Sequence, residues 1–116
     1  MKVSVFSTIL LLFSSALQAL DFTSTKKLAE QGHAVAQLNL GVMYYLGDGV
    51  IEDFVASYAW FSNAKANGNK NAPKAISILK EEMTKEQIAL GQALAKKLYQ
   101  QIENRDDESP VHTKYY

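Results

Sequence analysis

"YYLGDGVIED", residues 44–53, reads either as a ligand loop or as a corner between two helices, and the choice decides the fold. A calcium loop needs oxygen ligands at alternate places and a glycine at the sixth. Counting from Asp48, the alternate places are Val50 and Glu52, and the sixth is Asp53. A phosphate loop needs a lysine directly after its second glycine, and none stands here. A dinucleotide turn needs a third glycine and a preceding strand; Glu52 takes the glycine's place, and a helical pattern precedes. The corner reading meets no such conflict. Gly47 and Gly49 supply positive φ at no steric cost, Val50 tucks in as an apolar plug, and Asp53 caps the next helix.

Working outward, helical patterns lie on both sides of the corner. "HAVAQLNLGVMYYLG" (33–47) places Ala36, Leu40, Met43 and Tyr44 on one helix face. After Asp53 the inner stripe is Ser57, Trp60, Phe61 and Ala64, stopped at Gly68. Before it, "DFTSTKKLAEQG" (21–32) offers Thr23, Ser24 and Thr25 as N-caps of a short helix ended by Gly32. A fourth helix is capped by Asn69 or Asn71, carries Pro73 in its first turn, and has Ala72, Ile76, Leu79 and Met83 as its stripe. "TKEQ" (84–87) is a capping box that opens a fifth helix, with Ile88, Gly91, Ala95, Leu98 and Ile102 as its apolar face. No segment alternates as a strand does. The expectation is an all-α chain of about five helices joined by short loops and packed antiparallel.

The ends read differently. "MKVSVFSTILLLFSSALQAL" (1–20) has one lysine, an apolar run and then small residues, the order of a secretory signal peptide. Its apolar run is shorter than the roughly 20 residues that span a bilayer. Cleavage fits after Ala19 or after Ala16. The expected division is a signal peptide over 1–19, a folded domain over 20–104 and a disordered tail, "RDDESPVHTKYY", over 105–116. With no cysteine, the chain has no disulfide framework, thiolate chemistry or lipid anchor. Export to a bacterial periplasm, or secretion, is expected, with no stable membrane anchor after cleavage. The 12 basic and 12 acidic residues balance, and loss of Lys2 leaves one net negative charge. Nothing there favours nucleic acid, which asks for a basic patch.

The chain also repeats itself. Gly32 recurs as Gly68 and Ala36 as Ala72, both 36 residues later, a solenoid period. Residues 29–69 resemble the Sel-one-like repeat, a relative of the tetratricopeptide repeat. The matching places are Ala29, Gly32, Ala36, Leu40, Gly41, Tyr44, Gly47, Gly49, Val50, Asp53, Trp60, Ala64 and Gly68. "APKAISILKEEMTKEQIALGQALAKKL" (72–98) is similar to the helix pair that closes such arrays. The resemblance implies a short α-α-hairpin solenoid, a tetratricopeptide-like superhelix, that contacts another protein. Ser57 and Lys65 stand where the family has alanine. Gly91 stands inside the last helix, where alanine is better by about 0.8–1 kcal/mol, so looser packing is expected there. One and a half repeats is short of the roughly three that bury a solenoid core. The first and last helices must therefore act as caps, and self-association is open as a way to complete the array.

Chemistry is sparse. His33 and His112 have no partners at metal-ligand spacing. There is no Gly-x-Ser-x-Gly elbow and no usable triad. The expectation is no enzyme, no metal and no cofactor. For contact with a protein, Tyr45 and Tyr58 lie off the apolar stripes and offer rigid area with a polar handle. Gln37 and Asn39 offer polar contacts on the concave face that the resemblance implies. The function expected is an exported protein-interaction module or structural adaptor. The alternative is a secreted inhibitor or host-directed effector, and a hydrolytic enzyme comes last.

Overall fold

A computed structural model describes residues 22–108, and the expected signal segment lies outside them. Residues 22–30 form helix α1. It is followed by α2 (Ala34–Leu46), α3 (Phe54–Ala66), α4 (Ala72–Lys80) and α5 (Lys85–Glu108). No strand occurs among the described residues. α3 is the central helix and packs against α2, α4 and α5.

The helix ends are set by local chemistry. Gly32, Gly47, Gly49 and Gly68 all have positive φ, between 69° and 92°. At three of the ends an N–H reaches back five residues to a free carbonyl: His33 to Leu28, Asp48 to Met43 and Asn69 to Ala64. That is the Schellman closure of a helix. It recurs at the two glycines 36 residues apart, so the sequence period is a structural period. Asp53 caps α3, its Oδ1 accepting the Ala56 N–H at 3.0 Å. The capping box at α5 is complete in both directions. Gln87 N–H donates to Thr84 Oγ1 at 3.1 Å, and Thr84 N–H donates to Gln87 Oε1 at 2.9 Å. At α4 the side chain that caps is Asn69, which accepts the N–H groups of Asn71 and Ala72.

Two expectations about boundaries fail. Thr23, Ser24 and Thr25 lie inside α1 and do not cap it. The tail does not begin at 105, because α5 continues to Glu108. Buried Ile102 anchors the last turns of α5, and no helix breaker stands before Pro110. Residues 109–116 lie outside the described residues.

The interior is two clusters on the two sides of α3. The first joins Ala29, Ala36, Leu40, Trp60 and Ile102, with Phe22, Tyr44 and Leu98 against it. Tyr44 is half-buried, edge-on to Phe22 with ring centroids 5.9 Å apart. Ala64 is also fully buried, and Val50 is half-buried in the corner. The second cluster joins Tyr58, Phe61 and Leu79, with Tyr45, Phe54, Ile76, Met83 and Ile88 partly buried around it. Here two glycines admit aromatic rings. A Cβ on Gly41 would lie 2.6 Å from Phe61 Cε1, and one on Gly91 would lie 2.7 Å from Tyr58 Cδ1. Gly91 thus lets α5 pack directly onto the Tyr58 ring of α3, the reverse of the looser packing expected there. Ser57, in an alanine place, is buried and donates to the Gly41 carbonyl at 2.7 Å. Lys65 is exposed.

Candidate functional site

α2 is apolar on nearly every side. Ala36, Leu40 and Tyr44 serve the first cluster, and Leu38 and Tyr45 serve the second. Val35, Val42 and Leu46 are left over, and they point outward, with Leu46 62% exposed and Val42 38% exposed. A helix hydrophobic all round is ordinarily buried all round. On α2, one side has no cover within the described chain.

That side forms one wall of a groove. Val42, Tyr45 and Leu46 of α2 face Ala75, Ile78 and Leu79 of α4, with Phe61 of α3 as the floor. Ile78 stands at the rim, 49% exposed. The groove encloses about 260 Å³ and is lined by apolar groups. This falls below the roughly 300–1,000 Å³ of small-molecule sites, which also carry converging polar groups. The space suits apolar side chains inserted from another surface.

Tyr45 closes one end of the groove. Its ring stacks on Phe54, centroids 5.6 Å apart. Its hydroxyl donates to the Glu82 carboxylate just beyond α4. That hydrogen bond raises the Tyr45 pKa above the ordinary tyrosine value, with desolvation and the charges of Glu82 and Glu52 adding to it. The protonated hydroxyl links the end of α2 to the α4–α5 corner.

The expected contact residues separate. Tyr45 lines the groove and Asn39 is exposed on the same helix. Tyr58 is 7% exposed and belongs to the core, held against Gly91. It leaves the inner stripe by sequence only because α5 provides a second side for α3 to bury. Gln37 is fully buried. Its Nε2 donates to the Ala29 carbonyl at 3.0 Å, and its Oε1 accepts from Asn67 Nδ2 at 2.8 Å. Gln37 thus ties α1, α2 and the end of α3 together and is unavailable to a partner. The sequence reading missed Val42, Leu46 and Ile78. Their signal was an apolar residue left outside every assigned stripe.

Asp48, Glu52 and Asp53 do not form a cation site. The Asp53 carboxylate is used as a helix cap. Among the described residues no three His, Asp or Glu side chains come together as metal ligands. No helix among them is long and apolar enough to cross a membrane.

The repeated hairpins, glycine corners and central α3 define a short tetratricopeptide-like solenoid. Among solved structures, the chain is similar to c5321, described as a protective antigen present in uropathogenic Escherichia coli strains and displaying an SLR fold. The two share 27% identity with a TM-score of 0.63, over 73% of this chain and 20% of that one. The chain has the Sel-one-like repeat (SLR) fold, as its glycine and alanine pattern implied. It spans about one fifth of the length of that protein. No family model matches the chain, and no curated protein matches it.

Proposed function

We propose that this chain is an exported protein-interaction module or structural adaptor, which meets another protein through the groove between α2 and α4. The observation that carries the reading is that exposed Val42, Leu46 and Ile78 gather at one groove, whereas the exposed apolar side chains Leu28, Ile51, Leu90 and Tyr99 are spread over α1, the corner before α3 and α5. Exposed apolar residues gathered at a groove mark contact surfaces more often than scattered ones do. Export rests on the signal-like order of residues 1–19, and the destination is the periplasm or the medium. That a similar SLR-fold protein is described as a protective antigen is compatible with an exported location. A binding role without catalysis fits a groove with no converging polar groups and a chain with no cysteine and two unpartnered histidine positions in its sequence.

Photo-crosslinking in cells tests the contact surface. A photoreactive residue at Val42 or Ile78 is expected to give discrete adducts, and one at exposed Lys96 on α5 is expected to give none. Equal labelling from all three positions would refute the groove as the contact surface. Fractionation with amino-terminal sequencing tests export. The mature chain is expected to begin at Leu20 or Leu17, and an intact Met1 in the cytoplasm would refute it.

A further inference from the structure

We infer that the partner seated in the α2–α4 groove is a second copy of this chain, docked antiparallel about a two-fold axis. The inference rests on the contact reading above and names the occupant of that same surface. The exposed side of α2 carries Val35, Asn39, Val42 and Leu46 at 4-3-4 spacing. This is the spacing of a helix-pairing seam with one polar place. Facing it, α4 puts Lys74 one turn before Ile78 on the same side of the helix.

Charge is divided along the groove. Tyr45 near the end of α2 reaches Glu82 just past the end of α4, so both helices run toward the same end. That end is acidic: Glu82 accepts the Tyr45 hydrogen bond, and Glu52 is near enough to act on the same hydroxyl. The opposite end is basic, with exposed Lys74 and, in the turn before α4, exposed Lys70. Lys80 lies two residues beyond Ile78, on the far side of α4. Lys74 and Glu82 are separated by roughly 12 Å along the helix direction, at about 1.5 Å per residue.

A parallel pairing of two such faces would set lysine on lysine and glutamate on glutamate. An antiparallel two-fold sets Lys74 of each copy against Glu82 of the other, and every contact then occurs twice. Val42, Leu46 and Ile78 of each copy enter the groove of its partner, where the lining is apolar. After loss of the signal segment the chain carries one net negative charge, too little for long-range repulsion to oppose two copies meeting.

Sedimentation equilibrium on the full chain is the test, with far-ultraviolet circular dichroism to confirm helicity of each variant. A monomer–dimer equilibrium is expected. Leu46→Glu should weaken it by tenfold or more, as a charge buried in an apolar groove does. Lys74→Glu and Glu82→Lys should each weaken it about tenfold, because each swap creates like-charge pairs twice. The double swap in one chain should restore dimerisation to near the parent value. Lys96→Glu, on the exposed side of α5 and outside the groove, makes the same charge change as Lys74→Glu and should leave it unchanged. A strict monomer at every concentration overturns the inference, as does a dimer indifferent to Leu46→Glu or a double swap as weak as the single ones. A monomer whose Val42 position still crosslinks to a foreign protein overturns self-pairing and leaves the contact surface standing. No adduct from any groove position overturns both.

Discussion

The two sides of α3 are built from similar residues and end differently. On the Trp60 side, Ala29 of α1, Ala36 and Leu40 of α2 and Ile102 of α5 close over the ring, and the buried Gln37 amide joins three segments of chain. On the Phe61 side, the rings of Phe61 and Tyr58 press on Gly41 and Gly91, and the cluster then runs out into a groove. The difference lies in the two helices after α3. α4 has nine residues where α2 and α3 have 13, and α5 packs back on α3. A solenoid buries each repeat against the next. One side of this molecule has its neighbour within the chain; the other presents the face a neighbour would cover.

The largest effect expected from breaking the closed side is Trp60→Ala, which should cost about 3–5 kcal/mol in a denaturant melt. An unchanged melt would mean that the Trp60 cluster is not the core. Next comes Gln37→Leu. It keeps most of the volume but leaves the carbonyl of buried Ala29 without its partner, at a cost of about 1–3 kcal/mol, while exposed Asn67 turns to water. A neutral result would show that this buried amide network contributes nothing net. Gly91→Ala sets two terms against each other on the open side. Helix propensity favours alanine by about 0.8–1 kcal/mol, while crowding against Tyr58 costs about 1–3 kcal/mol. Net destabilisation is expected, and a more stable variant would show that Tyr58 yields freely. The smallest effect concerns pH. Burial, followed by the charges of Asp53 and Glu30, raises the Tyr44 pKa above the ordinary value of 10.0. Below that value both folded and unfolded chains hold the proton and the contribution is intact. As pH rises past it, the unfolded chain ionises first and stability falls. Tyr44→Phe should flatten this alkaline decline, and an unaltered pH profile would place its cause elsewhere.

Much of the fold was readable because its determinants are local. Asp53, the Thr84–Gln87 pair and the four positive-φ glycines act on backbone within a few residues of themselves. Apart from the two helix boundaries, the failures are questions of distant partners. Gln37 looks like a surface residue until Asn67, 30 positions away, meets its oxygen. Gly91 looks like a weak point until Tyr58 lies on it. Tyr58 looks free because a helix period finds one inner face, while α3 is buried on two. The groove was hidden for a related reason. α2 is so uniformly apolar that its period does not single out Val42 and Leu46 as the residues left uncovered.

Leu46→Glu tests the central claim most directly, measured for stability and for contact on the same preparation. If the groove is a docking face and not part of the core, the isolated chain should change by no more than about 0.5 kcal/mol, as for an ordinary surface substitution, while its crosslinks from the groove disappear. A loss of stability on the scale of Trp60→Ala, or crosslinks that survive the charge, would contradict the account.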